Sequence, residues 1–154
     1  MVIPLWQKII GAFLYMLPWH DALPFGRNLF ISFPYLEYLA IPTLPIIIIE
    51  RSIPFGSFLL FLIMFIAVIR NPKIAYFVRF NALQALLLNI GVILVGYAFQ
   101  VLLSPFAGGL IARTLASTVF LAILAITIFA IKECLQGKEA EIPAISEAVK
   151  MQLH

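Results

Sequence analysis

The stretch "FNALQALLLNIGVILVGYAFQVLL", residues 80–103, decides the fold because it runs for 24 residues without a charge. A helix of about 20 apolar residues is enough to cross the ~30 Å hydrocarbon core of a bilayer. Two further charge-free runs, residues 53–69 and 114–131, approach that length, and Arg113 can snorkel to lengthen the second. The chain therefore carries three candidate membrane helices.

The composition points the same way. The 154 residues are 64% hydrophobic and 11% charged, and the mean hydropathy is +1.10. A soluble domain of this size could not cover so much apolar surface, which indicates a single membrane-embedded domain over residues 1–154. The net charge of +3 is read as membrane sidedness and not as nucleic-acid binding. One cysteine excludes an intrachain disulfide.

Two segments leave the number of crossings open. Residues 3–20 are apolar apart from a few polar positions and are long enough to cross, with Pro18 and His20-Asp21 closing the run. Residues 38–49 contain Pro42 and Pro45 and reach only about 18 Å as a helix. We expect that segment to be interfacial, re-entrant or a broken extension of the next helix, with a fifth span as the remaining alternative.

We therefore predict an all-α integral membrane protein with four transmembrane helices and short interfacial or re-entrant segments. The predicted spans are residues 3–20, 53–69, 80–103 and 112–131, followed by an amphipathic tail over residues 140–154.

The basic residues favour one orientation of these spans. Four spans put seven of the ten Lys and Arg residues on one side of the membrane and three on the other. The side with more basic residues is expected to be cytoplasmic or stromal, together with both termini. The seven are Lys8, Arg70, Lys73, Arg79, Lys132, Lys138 and Lys150; the three are Arg27, Arg51 and Arg113.

A polar stripe runs along the helix predicted over residues 80–103. At 100° per residue, Asn89, Gly96 and Gln100 fall within about 40° of one another. Uncharged amides in lipid are expected to turn inward and bond across helices. The stripe therefore either holds the helices of a bundle together through hydrogen bonds or lines a polar path or a docking groove.

Other residues allow a packing interpretation and a functional one. Gly108, Ala112 and Ala116 are small residues at four-residue spacing, which permits close helix contact within the chain or in an oligomer. Arg79 is a sidedness anchor, with an ion pair to an acidic group on the same side as the alternative. The pair His20-Asp21 could relay protons but precedes a turn, which favours an interfacial bend.

Enzymatic chemistry receives no support from the sequence. It contains no HExxH, CxxC or phosphate-binding glycine motif, and the three long apolar runs contain no Asp or Glu. The sequence has one cysteine and two histidines that are far apart, so we do not expect a structural zinc site. We predict no catalytic residues, no metal and no cofactor.

A family resemblance covers nearly the whole chain. "VIRNPKIAYFVRFNALQALLLNI", residues 68–90, resembles the Tic-twenty (Tic20) family, named for the twenty-kilodalton subunit of the translocon at the inner envelope membrane of chloroplasts. "YMLPWHDALPFGR" at 15–27, "ERSIPF" at 50–55 and "IPAISEA" at 142–148 resemble further family segments, in the family's order. The positions that carry the motif are Arg70, Asn71, Arg79, Phe80, Asn81, Gln84, Ser146 and Glu147.

The resemblance implies a four-helix membrane subunit of a protein-translocation complex, of the cyanobacterial or plastid-encoded type. Its implied partners are membrane lipids, further copies of the chain or other translocon subunits, and a translocating polypeptide. The host membrane would be a cyanobacterial plasma or thylakoid membrane, or the plastid inner envelope. A scaffold or assembly factor without a conduit and a small-solute transporter stay open as alternatives. The transporter would need a charged or strongly polar site at mid-membrane.

Overall fold

The computed structural model describes residues 2–106 and 108–153, and every regular element in those two ranges is helical. The helices are α1 (Leu5–Leu14), α2 (Met16–Ala22), α3 (Arg27–Ser32), α4 (Leu44–Ser52), α5 (Gly56–Ile63), α6 (Tyr76–Leu103), α7 (Leu110–Leu135) and α8 (Ile145–Leu153). Segments of 3₁₀-helix cover Leu23–Gly26, Pro34–Thr43 and Ser104–Phe106, and a π-helical segment covers Met64–Ile69.

Two helices are long and apolar enough to cross a membrane. Tyr76–Phe106, which is α6 with its 3₁₀ end, has 31 residues and rises about 46 Å; α7 has 26 residues and rises about 39 Å. Only 22% and 17% of their most apolar windows are buried inside the chain. Their outer surfaces are thus suited to lipid, which confirms a membrane protein.

The N-terminal run is a broken helix that follows α6 for most of its length. Gly11 lies against Asn81, and the ring of Phe25 packs 5.2 Å from the ring of Phe99. The path does not end at His20, as the sequence suggested, but continues through α2 and α3 to Ser32. Proline at residue 24 lacks an N–H, and the chain tightens there into a 3₁₀ turn without leaving the bundle.

A sharp bend interrupts the next part of the chain. The helical segments Pro34–Ser52 and Gly56–Ile69 meet at 112°. Phe55 has a left-handed φ of 57°, and a Cβ on Gly56 would lie 2.5 Å from the backbone of Glu50. Residues 56–69 rise only about 21 Å, too little for a crossing by residues 53–69 alone. Length and composition thus support two crossings, or three if the bent pair is one broken span.

The C-terminal segment folds back onto α6. Gly137, with a φ of 77°, ends α7, and its N–H donates to the carbonyl of Cys134 at 3.0 Å. α8 then packs against α6, burying Val149 completely. α8 lies within the predicted tail 140–154, whose last residue, His154, is outside the described part of the chain.

Candidate functional site

The first polar centre is a buried network around the break between α1 and α2. The Tyr15 hydroxyl donates to Asn81 Oδ1 at 2.8 Å and accepts a hydrogen bond from Gln84 Nε2 at 2.8 Å. Gln84 Nε2 also donates to the carbonyl of Ala140 at 3.0 Å, and Asn81 Nδ2 donates to the carbonyl of Phe77 at 2.8 Å. Tyr15, Asn81 and Gln84 are 0% exposed. We call these four residues, Tyr15, Asn81, Gln84 and Ala140, the Tyr15 network.

The network joins three distant parts of the chain. Because its amides are consumed by internal hydrogen bonds, Asn81 and Gln84 act as glue within the bundle. Gln84 Oε1 is the one buried atom of the network without a hydrogen-bond partner among the described residues. These two amides therefore do not line a surface that another molecule can reach.

The other motif residues build the same end of the bundle. Arg79 Nε donates to the carbonyl of Ile69 at 2.9 Å, so this arginine ties α6 to the preceding segment. Asn71 Oδ1 accepts from the backbone N–H of Lys73 at 3.0 Å and shapes the connector. The ion pairs found between described residues do not include Arg79.

The motif also reaches the tail and the core of α6. Ser146 Oγ donates to the carbonyl of Ile142 at 2.9 Å, and Phe80 is fully buried. Arg70 and Glu147 are exposed. The motif positions thus include both structural residues and two charged surface positions.

Asn89, the first residue of the polar stripe, lies outside the Tyr15 network. Asn89 is buried, and its Nδ2 donates to Asp21 Oδ2. Gly96 and Gln100 line a groove of about 400 Å³ that also contains Asp21. Asn89 thus contacts the carboxylate of Asp21, which the sequence had placed at a bend beyond the first span, while Gly96 and Gln100 line the groove that Asp21 borders.

A second cavity of about 620 Å³ adjoins this groove and shares Pro24, Phe25, Phe99, Gln100 and Ala116 with it. We call the two together the α6–α7 groove. The predicted packing series Gly108, Ala112 and Ala116 lines the second cavity. Ala112 and Ala116 of α7, together with Gly108 just before that helix, thus lie along the groove.

A cluster of ionisable groups lies on the other side of Asp21. His20 Nε2 lies 3.0 Å from Glu50 Oε2, and the ligand atoms of His20, Asp21 and Glu50 all lie within 4.8 Å of one another. We call these three residues the His20 cluster. The side chains of His20 and Glu50 are 20% and 18% exposed, and His20 Nδ1 is buried without a partner among the described residues.

His20 and Asp21 border a groove of about 630 Å³. Arg27 and Glu37 line the groove as well. Trp19 Nε1 donates to the carbonyl of Leu39 at 2.9 Å, which fixes the 3₁₀ segment against α2.

Sequence reasoning paired His20 with Asp21 and missed Glu50. The two helices that supply these residues, α2 and α4, are separated by α3 and two 3₁₀ segments, and no periodicity connects them. The only available signal was a carboxylate directly after the apolar run ending at Ile49.

Comparisons with known proteins give a consistent result. Residues 4–149 match the family model described as "Chloroplast import apparatus Tic20-like". The chain is 38% identical to a Tic20 family protein of Synechocystis over 148 residues, covering 96% of this chain and 92% of that protein. It is 32% identical to the chloroplastic protein TIC 20-v of Arabidopsis thaliana over 149 residues, covering 96% and 71%. It is 29% identical to the Tic20 family protein Ycf60 of Gracilaria tenuistipitata over 151 residues, covering 94% and 74%.

Proposed function

Because the chain belongs to the Tic20 family, we propose that it acts as a subunit of a membrane complex that translocates proteins. The observation that carries this proposal is the family match over residues 4–149, nearly the whole chain. The family description names the chloroplast import apparatus, and a relative from a cyanobacterium aligns over almost its full length. The proposal assigns no catalytic step to the chain.

The proposal includes four membrane crossings with both termini on the cytoplasmic or stromal side. The crossings are the broken N-terminal run Leu5–Ser32, the bent pair, α6 and α7. Contacts between Gly11 and Cys134 and between Gln84 and Ala140 support this arrangement, because they bring α1 and the first part of α6 to the end of α7 and the segment that follows it. Most of the basic residues belong to this end, as the positive-inside rule requires of the cytoplasmic side.

Thiol labelling tests the topology. In a Cys134→Ala background, single cysteines replace Ala75, Gln136 or Asn28. We expect a membrane-impermeant maleimide to reach positions 75 and 136 from the cytoplasmic or stromal face and position 28 from the opposite face. Labelling of position 28 from the same face as the other two would refute four crossings.

The α6–α7 groove is the surface proposed to contact a partner helix, a second copy of the chain or a translocating polypeptide. It is lined by small residues of α7 and by the carboxamide of Gln100, and both features favour close helix association in lipid. Enclosing a polypeptide-wide path requires more helices than this chain supplies, which favours an oligomer or a complex.

Photocrosslinking from the groove tests this contact. A photoreactive residue replaces Gln100, and the matched control replaces Ala98, an exposed residue about 160° further round α6. With an arrested precursor engaged in the native membrane, crosslinks to the precursor from position 100 and not 98 support the conduit. Crosslinks to one fixed partner support a scaffold role instead. Lipid adducts alone from both positions would overturn both interpretations.

An ion or small-solute transporter is a second candidate because the His20 cluster supplies a charged site that the long apolar runs lack. Purified chain in liposomes would then carry an ion flux that Glu50→Gln abolishes and Glu37→Gln preserves. An ion-tight liposome containing folded protein would eliminate this candidate without affecting the translocation proposal.

A further inference from the structure

A position of Arg79 at the membrane surface would put the His20 cluster near the middle of the hydrocarbon core, where ionised groups are hardest to accommodate. Asn89, which donates to Asp21, follows Arg79 by ten residues, or about 15 Å along α6. With Arg79 at the membrane surface, this is half of the ~30 Å hydrocarbon thickness. Charged side chains at such a depth are costly and normally pair with a compensating charge or serve a function.

Carboxyl groups outnumber basic groups in the cluster. Asp21 and Glu50 supply two carboxyl groups, and His20 supplies one imidazole. The bordering groove adds Arg27 and Glu37, whose opposite charges offset each other. Asn89 supplies a neutral amide. Two carboxyl groups and one imidazole nitrogen form a donor set that a divalent cation can bind.

The donor atoms suit a first-row transition metal. One imidazole nitrogen and two carboxylates form a ligand set used by Zn²⁺ and Mn²⁺, with waters from the groove completing the coordination. Ligands bound at about 2.0–2.2 Å are at most about 4.4 Å apart. Atoms already within 4.8 Å can reach that arrangement through small side-chain movements. The Asn89 amide has the place of an outer partner that orients a ligating carboxylate.

We infer that His20, Asp21 and Glu50 bind one divalent transition-metal ion between α2 and α4, inside the membrane domain. The ion holds the bent segment Pro34–Ser52 against the N-terminal run, a connection the protein otherwise makes through the Trp19–Leu39 and His20–Glu50 hydrogen bonds. This inference is independent of the translocation proposal, since it concerns a site within the chain.

Metal binding by the full-length protein in detergent tests the inference. The protein carries no histidine tag, is stripped with EDTA and has His154→Ala throughout to remove the other histidine. Equilibrium dialysis against Zn²⁺ should give one ion per chain. His20→Gln, Asp21→Asn and Glu50→Gln should each weaken binding at least tenfold. Glu37→Gln, which changes a carboxylate of the same groove, should leave it unchanged.

Co²⁺ absorption keeps the test decisive where a variant fails to fold. Visible d–d bands without a thiolate charge-transfer band are expected for nitrogen and oxygen ligands in the wild-type site. A thiolate band would instead assign the ion to Cys134 and overturn the inference. Absence of stoichiometric Zn²⁺ binding, or binding that survives all three ligand substitutions, would overturn it as well.

Discussion

Tyr15→Phe isolates the contribution of the Tyr15 network because it removes one oxygen and keeps the ring. The hydroxyl makes two hydrogen bonds of 2.8 Å, one donated to Asn81 and one accepted from Gln84. Since Tyr15 is 0% exposed, water does not replace either bond. The variant therefore leaves one acceptor on Asn81 and one N–H on Gln84 unpaired.

The expected cost follows from these two bonds. Hydrogen bonds between membrane helices contribute about 0.6 kcal/mol on average and at most about 1.7 kcal/mol. An orphaned buried polar group costs about 1–3 kcal/mol. Two bonds at the average value give about 1.2 kcal/mol as the lower figure. We expect Tyr15→Phe to lower the free energy of unfolding by about 1–3 kcal/mol.

Reversible unfolding in mixed detergent micelles, followed by tryptophan fluorescence, measures this change. Tyr97→Phe is the matched control because Tyr97 lies on α6 with its side chain 62% exposed, and it should have no effect. Combining Tyr15→Phe with Gln84→Met in a double-mutant cycle should give a coupling energy above about 0.5 kcal/mol. A Tyr15→Phe protein as stable as wild type, with no coupling to residue 84, would refute the assignment of this network as structural glue.

Three further substitution and labelling experiments follow from close contacts. Gly11→Ala would place a Cβ 2.5 Å from Cys134 Sγ, and we expect the free energy of unfolding to fall by about 1–3 kcal/mol in the same assay. Gly91→Ala is the control: no atom lies within 4 Å of its Cβ, so it should be neutral or slightly stabilising. Cys134 is 0% exposed, so maleimide should modify its thiol in the wild type only after denaturation. The native Gly11→Ala protein should be modified measurably faster than the native wild type. Fast labelling of the native wild type would contradict the packing of α1 on α7. Gly56→Ala would place a Cβ 2.5 Å from the backbone of Glu50, which cannot rotate away as a side chain can, so we expect a larger loss of stability than for Gly11→Ala. The loss should appear as increased proteolysis of the connection between α4 and α5. Resistance to proteolysis equal to that of the wild type would show that the 112° bend does not need glycine.

The sequence predicted the features that depend on local pattern. Charge-free length located α6 and α7. This inference succeeds because the thickness of the lipid bilayer imposes a minimum length on each apolar helix.

Features that depend on distant contacts escaped prediction. Glu50 joins His20 only because the chain folds back between α2 and α4, through α3 and the 3₁₀ segments. The left-handed φ of Phe55 has no signature in the hydropathy of the sequence. The break at Tyr15 was equally hidden, since its neighbours are all apolar. In each case a tertiary contact, not a local preference, determines the backbone.

The Tyr15 network has a consequence for the timing of biosynthesis. Its members come from the first helical run, from α6 and from residue 140, which follows the last long helix. While the ribosome is still making α7, Gln84 has no carbonyl at position 140 to receive its hydrogen bond. The nascent chain therefore carries an incompletely paired amide in lipid until synthesis is nearly finished. Docking of the C-terminal segment is the step that completes the hydrogen bonds of the Tyr15 network. A truncation before residue 140 therefore removes the hydrogen bond from Gln84 to the carbonyl of Ala140 as well as the tail.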